Sequence, residues 1–160
     1  MFLLTDFVVL AIQLYEGEDL FDAFGGNLTL STPQVRLYLS QIILIMEHLH
    51  KNKIIYRDLK PENLMLDEDG YLNLVDFGTA KKLTIEHRYK TMTIIGTPHY
   101  MAPEIITGKG YSFAADWWSI GVLLYEMISG KLPFGPLNAL SSNLRIPRLS
   151  QHCHKTIFRH

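Results

Sequence analysis

Two short segments of the sequence hold residue types that bind metal ions and phosphates. YRDLKPEN at residues 56–63 contains Asp58, Lys60 and Asn63, and DFG at residues 76–78 begins with Asp76. Carboxylate and amide oxygens are ligands of hard cations such as Mg²⁺, and a lysine ammonium attracts phosphate oxygens. The two segments therefore indicate a site that handles a polyanion together with a metal ion.

The same side chains fit the requirements of phosphoryl transfer. That reaction needs metal ions on the phosphate oxygens, a group that takes the proton of the acceptor hydroxyl, and a cation near the moving phosphoryl. We assign the base role to Asp58 and the phosphate cation to Lys60. Asn63 and Asp76 are the predicted magnesium ligands.

A predicted β-hairpin brings the two segments together. Strands at 64–66 and 71–75 are joined by a turn that ends at Gly70, so the loops on either side of the hairpin emerge beside each other. Residues 79–103 lack sustained periodicity and predict a long loop. A loop of that length in a compact domain is usually functional or disordered.

Other elements follow from hydrophobic periodicity and capping signals. A buried strand is predicted at 7–14. An amphipathic helix is predicted up to Lys51, with Thr32 as its cap. A second helix is predicted at 114–129 with Ser112 as its cap. It is apolar on nearly all sides, including its two tryptophans, so we expect it to be buried at the centre of the molecule.

In sequence order, YRDLKPEN, DFG and APE at 102–104 resemble the motifs of the eukaryotic protein kinases. The pattern LKPEN implies serine and threonine as acceptors. Longer segments resemble the cyclic-nucleotide-dependent branch, and GTPHYMAPEIITGKGY is most similar to the cGMP-dependent members. These segments are DFGTAKK at 76–82, TMTIIGTPHYMAPE at 91–104 and DWWSIGVLLYEM at 116–127.

The resemblance implies a partial protein-kinase-like fold of the α+β class, mainly α, with ATP and Mg²⁺ as cofactors. Residues 1–135 would form the C-terminal lobe, with a hinge strand, a short hairpin and a buried central helix. Residues 136–160 do not resemble the family. They carry a charge of +4 against −5 for the rest, since the whole chain is −1. We expect them to form a disordered basic tail.

The resemblance also implies a regulatory site in the long loop. Thr93 corresponds to a phosphorylated threonine, and Arg57 and Lys81 correspond to the cations that receive its phosphate. A dianionic phosphate opposite such cations can order a mobile loop. Thr97 corresponds to the threonine that bridges the base and the lysine.

Structural and nucleotide-contacting roles are implied in the same way. Asp116 corresponds to the carboxylate that fixes the backbone of the catalytic loop. Tyr56 and Phe77 correspond to members of a hydrophobic column. Met65 corresponds to the floor under adenine, and Asp76 contacts the nucleotide through its metal.

Three acidic residues resemble those of family members that prefer basic substrates. Asp19, Glu62 and Glu126 fall where such members pair with arginines upstream of the acceptor hydroxyl. The resemblance therefore implies protein substrates with basic residues near the serine or threonine. Asp19 stands where glutamate is usual, so its reach is one methylene shorter.

Parts of a complete kinase domain are missing from these residues. The sequence has no G-x-G-x-x-G segment, and its first lysine is Lys51, so neither a glycine-rich loop nor a strand lysine precedes the hairpin. The arginine expected to pair with Glu104 of APE has no match either. We therefore expect a fragment truncated at both ends, with Glu104 buried without a partner and apolar helix surface left uncovered.

Two functions remain open on the sequence alone. The first is an enzyme that phosphorylates serine or threonine with ATP. The second is a catalytically inactive kinase lobe that binds peptides or another partner. Loss of the nucleotide clamps removes positioning and charge stabilisation, so we expect no detectable transfer by the 160 residues alone.

Composition and charge argue against other classes. Hydrophobic residues make up 48% and charged residues 19%, as in globular domains, and the net charge of −1 offers no basic field for nucleic acid. No apolar run is long enough for a membrane span, and a single cysteine, Cys153, fits a reducing compartment. We therefore expect a cytoplasmic protein without nucleic-acid or membrane partners.

The histidines do not indicate a metal site. HCH at 152–154 fits no zinc-site spacing, and His48 and His50 are interpreted as surface or packing residues.

Overall fold

A computed structural model of the chain describes residues 2–4, 7–9 and 17–134. The first two ranges are antiparallel strands, β1 (Phe2–Leu4) and β2 (Phe7–Val9). The strand predicted over 7–14 is thus confirmed at its start, and the rest of it lies outside the described residues. The predicted tail at 136–160 also lies outside them.

The first long helix, α1 (Thr32–Lys51), is confirmed with the predicted end. Its cap is Ser31 rather than Thr32, because Ser31 keeps an extended backbone while Thr32 already belongs to the helix. The side-chain oxygen of Gln34 accepts a hydrogen bond from the Ser31 backbone N–H at 3.0 Å, one half of a capping box. The buried face of α1 carries the residues at helical spacing, Val35, Tyr38, Ile42, Met46 and Leu49.

Two antiparallel pairs follow the helix. β3 (Ile54–Ile55) lies directly after α1, and the hairpin is formed by β4 (Leu64–Leu66) and β5 (Leu72–Leu74). The chain then returns to pair β6 (Lys81–Lys82) with β3. The predicted hairpin is confirmed, although its second strand is one residue shorter at each end than predicted. The long loop predicted at 79–103 is interrupted by β6, which its sequence did not indicate.

The hairpin turn is held by one aspartate. Asp67 Oδ1 accepts hydrogen bonds from the backbone N–H groups of Tyr71 at 2.8 Å and Asp69 at 3.1 Å. Its other oxygen accepts from the Asn73 amide at 3.1 Å. These bonds, led by that from Tyr71, lower the pKa of Asp67. The turn therefore fixes the pairing of the two strands from its closed end.

The segment before α1 lies along the outer edge of β4. Leu20 N–H donates to the Leu64 carbonyl at 2.8 Å, and Leu66 N–H donates to the Glu18 carbonyl at 2.9 Å. Gly17 begins this contact, where a Cβ atom would lie only 1.7 Å from the Leu66 carbonyl oxygen. Only glycine permits so close an approach of two backbones.

A one-turn helix, α2 (Pro103–Ile106), and a second long helix, α3 (Ala114–Ser129), complete the described lobe. The bounds of α3 and its end at Gly130 are as predicted. Ser112 is not its side-chain cap, because Phe113 already has helical backbone angles and Ser112 contributes its carbonyl to the Ala115 N–H at 3.0 Å.

The prediction that α3 is buried on nearly all sides is wrong for one face. Trp117 is 44% exposed, so it is not the core residue that its type suggested. Trp118 does contact the core, and its ring stacks on Phe134 with the centroids 5.4 Å apart. The buried face carries Ala115, Asp116, Ser119, Ile120, Val122, Leu123, Glu126 and Met127.

Two hydrophobic clusters hold these elements together. The larger lies between α1, α3 and the hairpin, and the smaller lies under the long loop around Ile55, Leu83 and Tyr111. The architecture is α+β, mainly α, as the kinase-like lobe required. Within the described ranges, no helix has the length and apolar character needed to cross a bilayer.

Candidate active site

The loop between β3 and β4 is anchored from below by Asp116. This residue is fully buried in the first turn of α3, and its carboxylate accepts the backbone N–H groups of Tyr56 at 3.0 Å and Arg57 at 2.9 Å. Arg57 has a positive φ of 76°, which is unfavourable for a residue with a side chain. The two bonds from Asp116 therefore hold the loop in a backbone conformation that it would not adopt alone.

A third donor to Asp116 comes from α1. His50 Nε2 lies 2.7 Å from Asp116 Oδ2, and its ring packs against Phe113 with the centroids 4.9 Å apart. The interpretation of His50 as a surface or packing residue is therefore incomplete, because it links the end of α1 to the carboxylate that anchors the loop. Its helix-end position gave no signal for this contact, since the partner lies 66 residues away.

Asp58 lies at the centre of the loop and is 8% exposed. Its Oδ1 accepts a hydrogen bond from the Thr97 hydroxyl at 2.6 Å. Its Oδ2 lies 3.6 Å from Lys60 Nζ and 3.4 Å from Asn63 Nδ2. The structure thus brings three other predicted site residues around the Asp58 carboxylate.

The hairpin places Asp76 beside this group. Leu64 pairs with Leu74, so Asn63 just before β4 and Val75 just after β5 lie at the same end, where Val75 N–H donates to the Asn63 carbonyl at 3.0 Å. Asp76 follows directly, with a left-handed backbone, and its carboxylate accepts from Gly78 N–H at 3.0 Å. The two loops therefore meet as the sequence predicted.

Tyr56 lies near both Asp58 and Asp76. Its hydroxyl donates to the Val75 carbonyl, and its ring meets Phe77 edge to face with the centroids 5.6 Å apart. Burial raises the pKa of the Tyr56 phenol, and the negative charges of Asp58 and Asp76 raise it further. Both carboxylates thus act on one buried group. Phe77 itself is 49% exposed.

The donor set at the hairpin end suits a hard cation. Asn63 Nδ2 donates to the Asp58 backbone carbonyl at 2.9 Å, so a cation at this site would take the amide oxygen. Together with Asp76 this gives two oxygen ligands, and Mg²⁺ characteristically takes its remaining ligands from water and phosphate. Among the side chains that the structure describes, no three His, Cys, Asp or Glu residues gather into a metal cluster.

Met65 lies on β4 between Leu64 and Leu66, which face the core. Because side chains alternate along a strand, Met65 faces the opposite side of the hairpin. It also forms an isolated bridge with Asp19 on the edge segment. Met65 therefore faces away from the core, and its assignment to the floor under adenine stays a prediction.

The three acidic residues predicted to bind a basic substrate differ in their surroundings. Glu126 is 9% exposed, and its Oε2 accepts a hydrogen bond from the Tyr100 hydroxyl. Burial raises the pKa of Glu126, the Tyr100 bond opposes that rise, and the charge of Glu62 adds to it. Glu62 is exposed, and Asp19 uses Oδ1 to accept the N–H groups of Phe21 and Asp22. Glu62 and Glu126 are thus close enough to interact.

Tyr100 and its neighbour His99 were not identified from the sequence. Desolvation and the bond to Glu126 raise the pKa of Tyr100. His99 lies near enough for its charge to lower the pKa of Glu126, and its Nδ1 is buried without a hydrogen-bond partner. Both residues precede APE in the sequence, but only the fold brings them to Glu126.

The long loop places Thr93 at a basic cavity. The backbone carbonyl of Thr93 accepts a hydrogen bond from the Tyr111 hydroxyl at 2.6 Å, and its side chain lines the cavity together with that of Lys81. Arg57 does not line this cavity, and its Nε donates to the Thr79 carbonyl. One of the two predicted phosphate cations is therefore beside Thr93.

Glu104 lies in the short helix α2 and is half-exposed. The expectation of a buried carboxylate left without a partner is therefore wrong. The reason is that α2 is a single turn at the surface, so the side chain keeps its contact with water. Among the described residues no ion pair of Glu104 is found, and none is needed at such a position.

Comparison with known proteins gives a consistent result. The sequence profile of the protein kinase domain matches residues 1–157. The chain is 48% identical over 130 residues to a cGMP-dependent protein kinase of Toxoplasma gondii, covering 81% of the chain and 13% of that protein. It is 52% identical over 123 residues to a cGMP-dependent protein kinase of Plasmodium berghei, covering 77% and 14%.

Similarity extends to a second group of kinases. The chain is 46% identical over 125 residues to human ribosomal protein S6 kinase alpha-1, covering 78% of the chain and 17% of that protein. The chain therefore spans less than a fifth of the length of these curated relatives.

Proposed function

The chain belongs to the protein kinase domain family, and we propose that it supplies the catalytic lobe of a serine/threonine protein kinase that uses ATP and Mg²⁺. The family uses these two cofactors in general. The observation that supports the proposal is the grouping of Lys60, Asn63 and Thr97 around Asp58, with Asp76 at the same end of the hairpin.

In this proposal Asp58 takes the proton of the acceptor hydroxyl. Thr97 holds one carboxylate oxygen, which fixes the direction of the other. As the serine or threonine oxygen forms its bond to the γ-phosphorus, the bond from that phosphorus to the β–γ bridging oxygen breaks and ADP leaves. The hydroxyl proton passes to Asp58.

Lys60 and the metal ligands act on the charge of the phosphates. The Lys60 ammonium, 3.6 Å from Asp58, would contact the transferred phosphoryl and balance its oxygens. Asn63 and Asp76 would hold Mg²⁺, which when bound neutralises the charge of the β and γ phosphates. Met65 would form the floor under the adenine ring.

A chimera gives the sharpest test of this proposal. An upper lobe with a glycine-rich loop and strand lysine, taken from one of the related cGMP-dependent kinases, is fused ahead of residue 7. We expect it to transfer radiolabelled phosphate from ATP to an arginine-rich serine peptide, and Asp58→Asn to reduce transfer by at least about 100-fold. Asp69→Asn, in the exposed hairpin turn, serves as the matched control and should not change the rate.

The chain without the added lobe should give no label above background, because its sequence contains no G-x-G-x-x-G segment. A folded chimera without activity contradicts the proposed function. So does transfer that is equally fast with Asp58→Asn.

Two acidic residues support a second candidate, a peptide-binding lobe without turnover. Glu62 and the buried Glu126 interact through their charges and offer a negative site for arginine. Binding of the arginine-rich peptide is measured by calorimetry on the chain alone. We expect Glu62→Gln to weaken it and Glu68→Gln, an exposed acid in the hairpin turn, to leave it unchanged. Equal effects of the two variants, or no binding, would remove this candidate and the proposed preference for basic substrates.

Regulation by phosphorylation of Thr93 is also part of the proposal. Its side chain is exposed and lines the cavity beside Lys81, so a kinase can reach it and a cation is ready for its phosphate. The site of action is proposed to be the cytoplasm, as composition and the single cysteine indicated.

A further inference from the structure

Asp76 has a backbone conformation that it would not keep without support. Its φ of 53° and ψ of 78° lie in the left-handed region, which is unfavourable for a residue with a side chain. Its exposed carboxylate accepts a hydrogen bond from Gly78 N–H at 3.0 Å, but that bond lies within the same short turn. A conformation of this kind persists only where the surrounding structure holds it. Contacts outside the turn must therefore fix this predicted metal ligand.

Tyr56 holds the segment around Asp76 from both ends. On the side before Asp76, the Tyr56 phenol hydroxyl donates to the Val75 carbonyl. On the side after Asp76, the Tyr56 backbone carbonyl accepts a hydrogen bond from the Thr79 hydroxyl at 3.0 Å. Tyr56 is fully buried, and its own backbone N–H is bonded to Asp116. The segment is therefore bonded on both sides of Asp76 to one firmly held residue of the catalytic loop.

The contact from the Thr79 hydroxyl had no signal in the sequence. The side chain is half-buried, and its partner Tyr56 lies 23 residues earlier in the chain. Arg57 Nε donates to the backbone carbonyl of the same threonine, so Thr79 meets the catalytic loop through side chain and backbone. Arg57 Nη1 is buried without a partner among the described residues, so replacing the arginine would disturb more than this contact. The Thr79 hydroxyl is the group that can be removed alone.

We propose that Thr79 is a positioning residue whose hydroxyl holds Asp76 where it can share a metal ion with Asn63. In this role the hydroxyl touches neither metal nor phosphate, and it acts through the backbone that it bonds to Tyr56. Without the hydroxyl, Asp76 is held on only one side by Tyr56 and can move away from Asn63. The inference rests on the proposed metal site and adds the residue that keeps its two ligands together.

Hydrogen exchange of the ¹⁵N-labelled full chain tests the contact without any ligand, because it measures how often the turn opens. The Gly78 and Ala80 N–H groups bond within the turn. Thr79→Val removes the donor, so both amides should exchange about fivefold faster, the effect of one ordinary hydrogen bond. Thr79→Ser keeps the donor and should exchange as slowly as the natural chain. The matched control is Thr84→Val, which removes an exposed hydroxyl from the following loop and should change neither amide.

Addition of Mn²⁺ and ATP to the same samples shows whether the contact serves the metal site. In the natural chain and in Thr79→Ser, bound Mn²⁺ should broaden the amide signals of Asn63 and Gly78 over the same range of concentration. In Thr79→Val, the Mn²⁺ concentration that halves the Asn63 signal should rise about fivefold, because the two ligands are no longer held together. A role in folding alone would not change this concentration.

Three outcomes overturn the inference while the metal site stands. They are exchange in Thr79→Val as slow as in the natural chain, an equal effect of Thr84→Val, and faster exchange with an unchanged response to Mn²⁺. In the last case the hydroxyl would support only the fold. A natural chain in which Mn²⁺ does not broaden Asn63 and Gly78 together contradicts the proposed metal site itself, and the inference fails with it.

Discussion

At the scale of single residues, the candidate site depends on a few carboxylates with different surroundings. Asp116 is buried and accepts three donors, Asp58 is nearly buried between Thr97 and Lys60, and Asp76 is exposed. A buried carboxylate with several donors fixes geometry, whereas an exposed one remains available to a cation. The three aspartates thus have different roles although they are the same residue type.

The link from His50 to Asp116 predicts a loss of stability that a neighbouring histidine does not share. His50→Ala removes a donor from a fully buried carboxylate, so we expect the free energy of unfolding in urea to fall by about 1–3 kcal/mol. His48→Ala, on the exposed side of the same helix end, should change it by less than about 0.5 kcal/mol. Equal effects of the two substitutions would show that the contact with Asp116 contributes nothing.

Glu126 predicts an unusual pH dependence of stability. Its pKa is raised by burial and by Glu62, so its contribution to stability is present in the acid range and is lost as pH rises through the folded-state pKa. Glu126→Gln keeps an acceptor for Tyr100 and removes the charge. We expect this variant to be more stable than the natural chain at pH 7 and equally stable below the ordinary pKa of 4.5.

Denaturant unfolding at the two pH values measures this difference. Glu62→Gln provides the comparison, because it removes the neighbouring charge but leaves Glu126 buried. It should give a smaller effect of the same sign. A Glu126→Gln variant that is less stable at pH 7 would show that the ionised carboxylate is stabilised where it lies.

Residue types and spacing indicated the chemistry of the site, but they did not indicate the residues that hold the site residues in place. The types and spacing of Asp58, Lys60, Asn63 and Asp76 predicted their roles, and the fold brings these residues to the same end of the hairpin. His50, Tyr100 and His99 act through partners far along the chain, and nothing local distinguishes them from ordinary helix or turn residues. Contacts of that kind arise from the fold.

At the scale of elements, Gly96 controls how the long loop meets the catalytic loop. It has φ of +118°, and a Cβ atom there would lie 2.4 Å from the Arg57 carbonyl oxygen. Gly96→Ala should therefore cost about 3 kcal/mol or more, through strain and displacement of Thr97 from Asp58. Gly108 also has positive φ, at +64°, but nothing lies within 4 Å of its Cβ position.

Gly108→Ala is thus the matched control for backbone strain without a clash, and should cost about 1–2 kcal/mol. Urea unfolding of both variants measures the difference. If the two cost the same, the close approach of Gly96 to the catalytic loop has no energetic importance.

Strongly periodic elements were predictable, and short pairings were not. The bounds of α1 and α3 and the hairpin β4–β5 follow from apolar spacing and turn residues. β6 has only two residues, both exposed lysines, so its pairing with β3 depends on the position of the rest of the loop. The caps at Ser31 and Phe113 differ from prediction by one residue, because the backbone angles at a helix end decide which residue begins the helix.

At the scale of the whole molecule, the two hydrophobic clusters hold different parts of the candidate site in place. The larger holds the hairpin and the catalytic loop against α1 and α3, and the smaller supports the long loop with its cavity. Apolar surface was expected on the long helices and is found there in the described residues, at Leu37 and Leu44 of α1 and Trp117 and Ile128 of α3. The exposed face of α3 was not predictable, because its sequence is apolar on both sides.

The central claim is that the ends of two loops form one metal and phosphate site. Addition of Mn²⁺ and ATP to the ¹⁵N-labelled chain tests it most directly, because bound Mn²⁺ broadens the amide signals of nearby residues. The account predicts that the signals of Asn63 and Gly78 broaden together, before those of the acidic turn at 67–70, and that Asp76→Asn prevents both. Broadening of one without the other, or of the turn first, would contradict it.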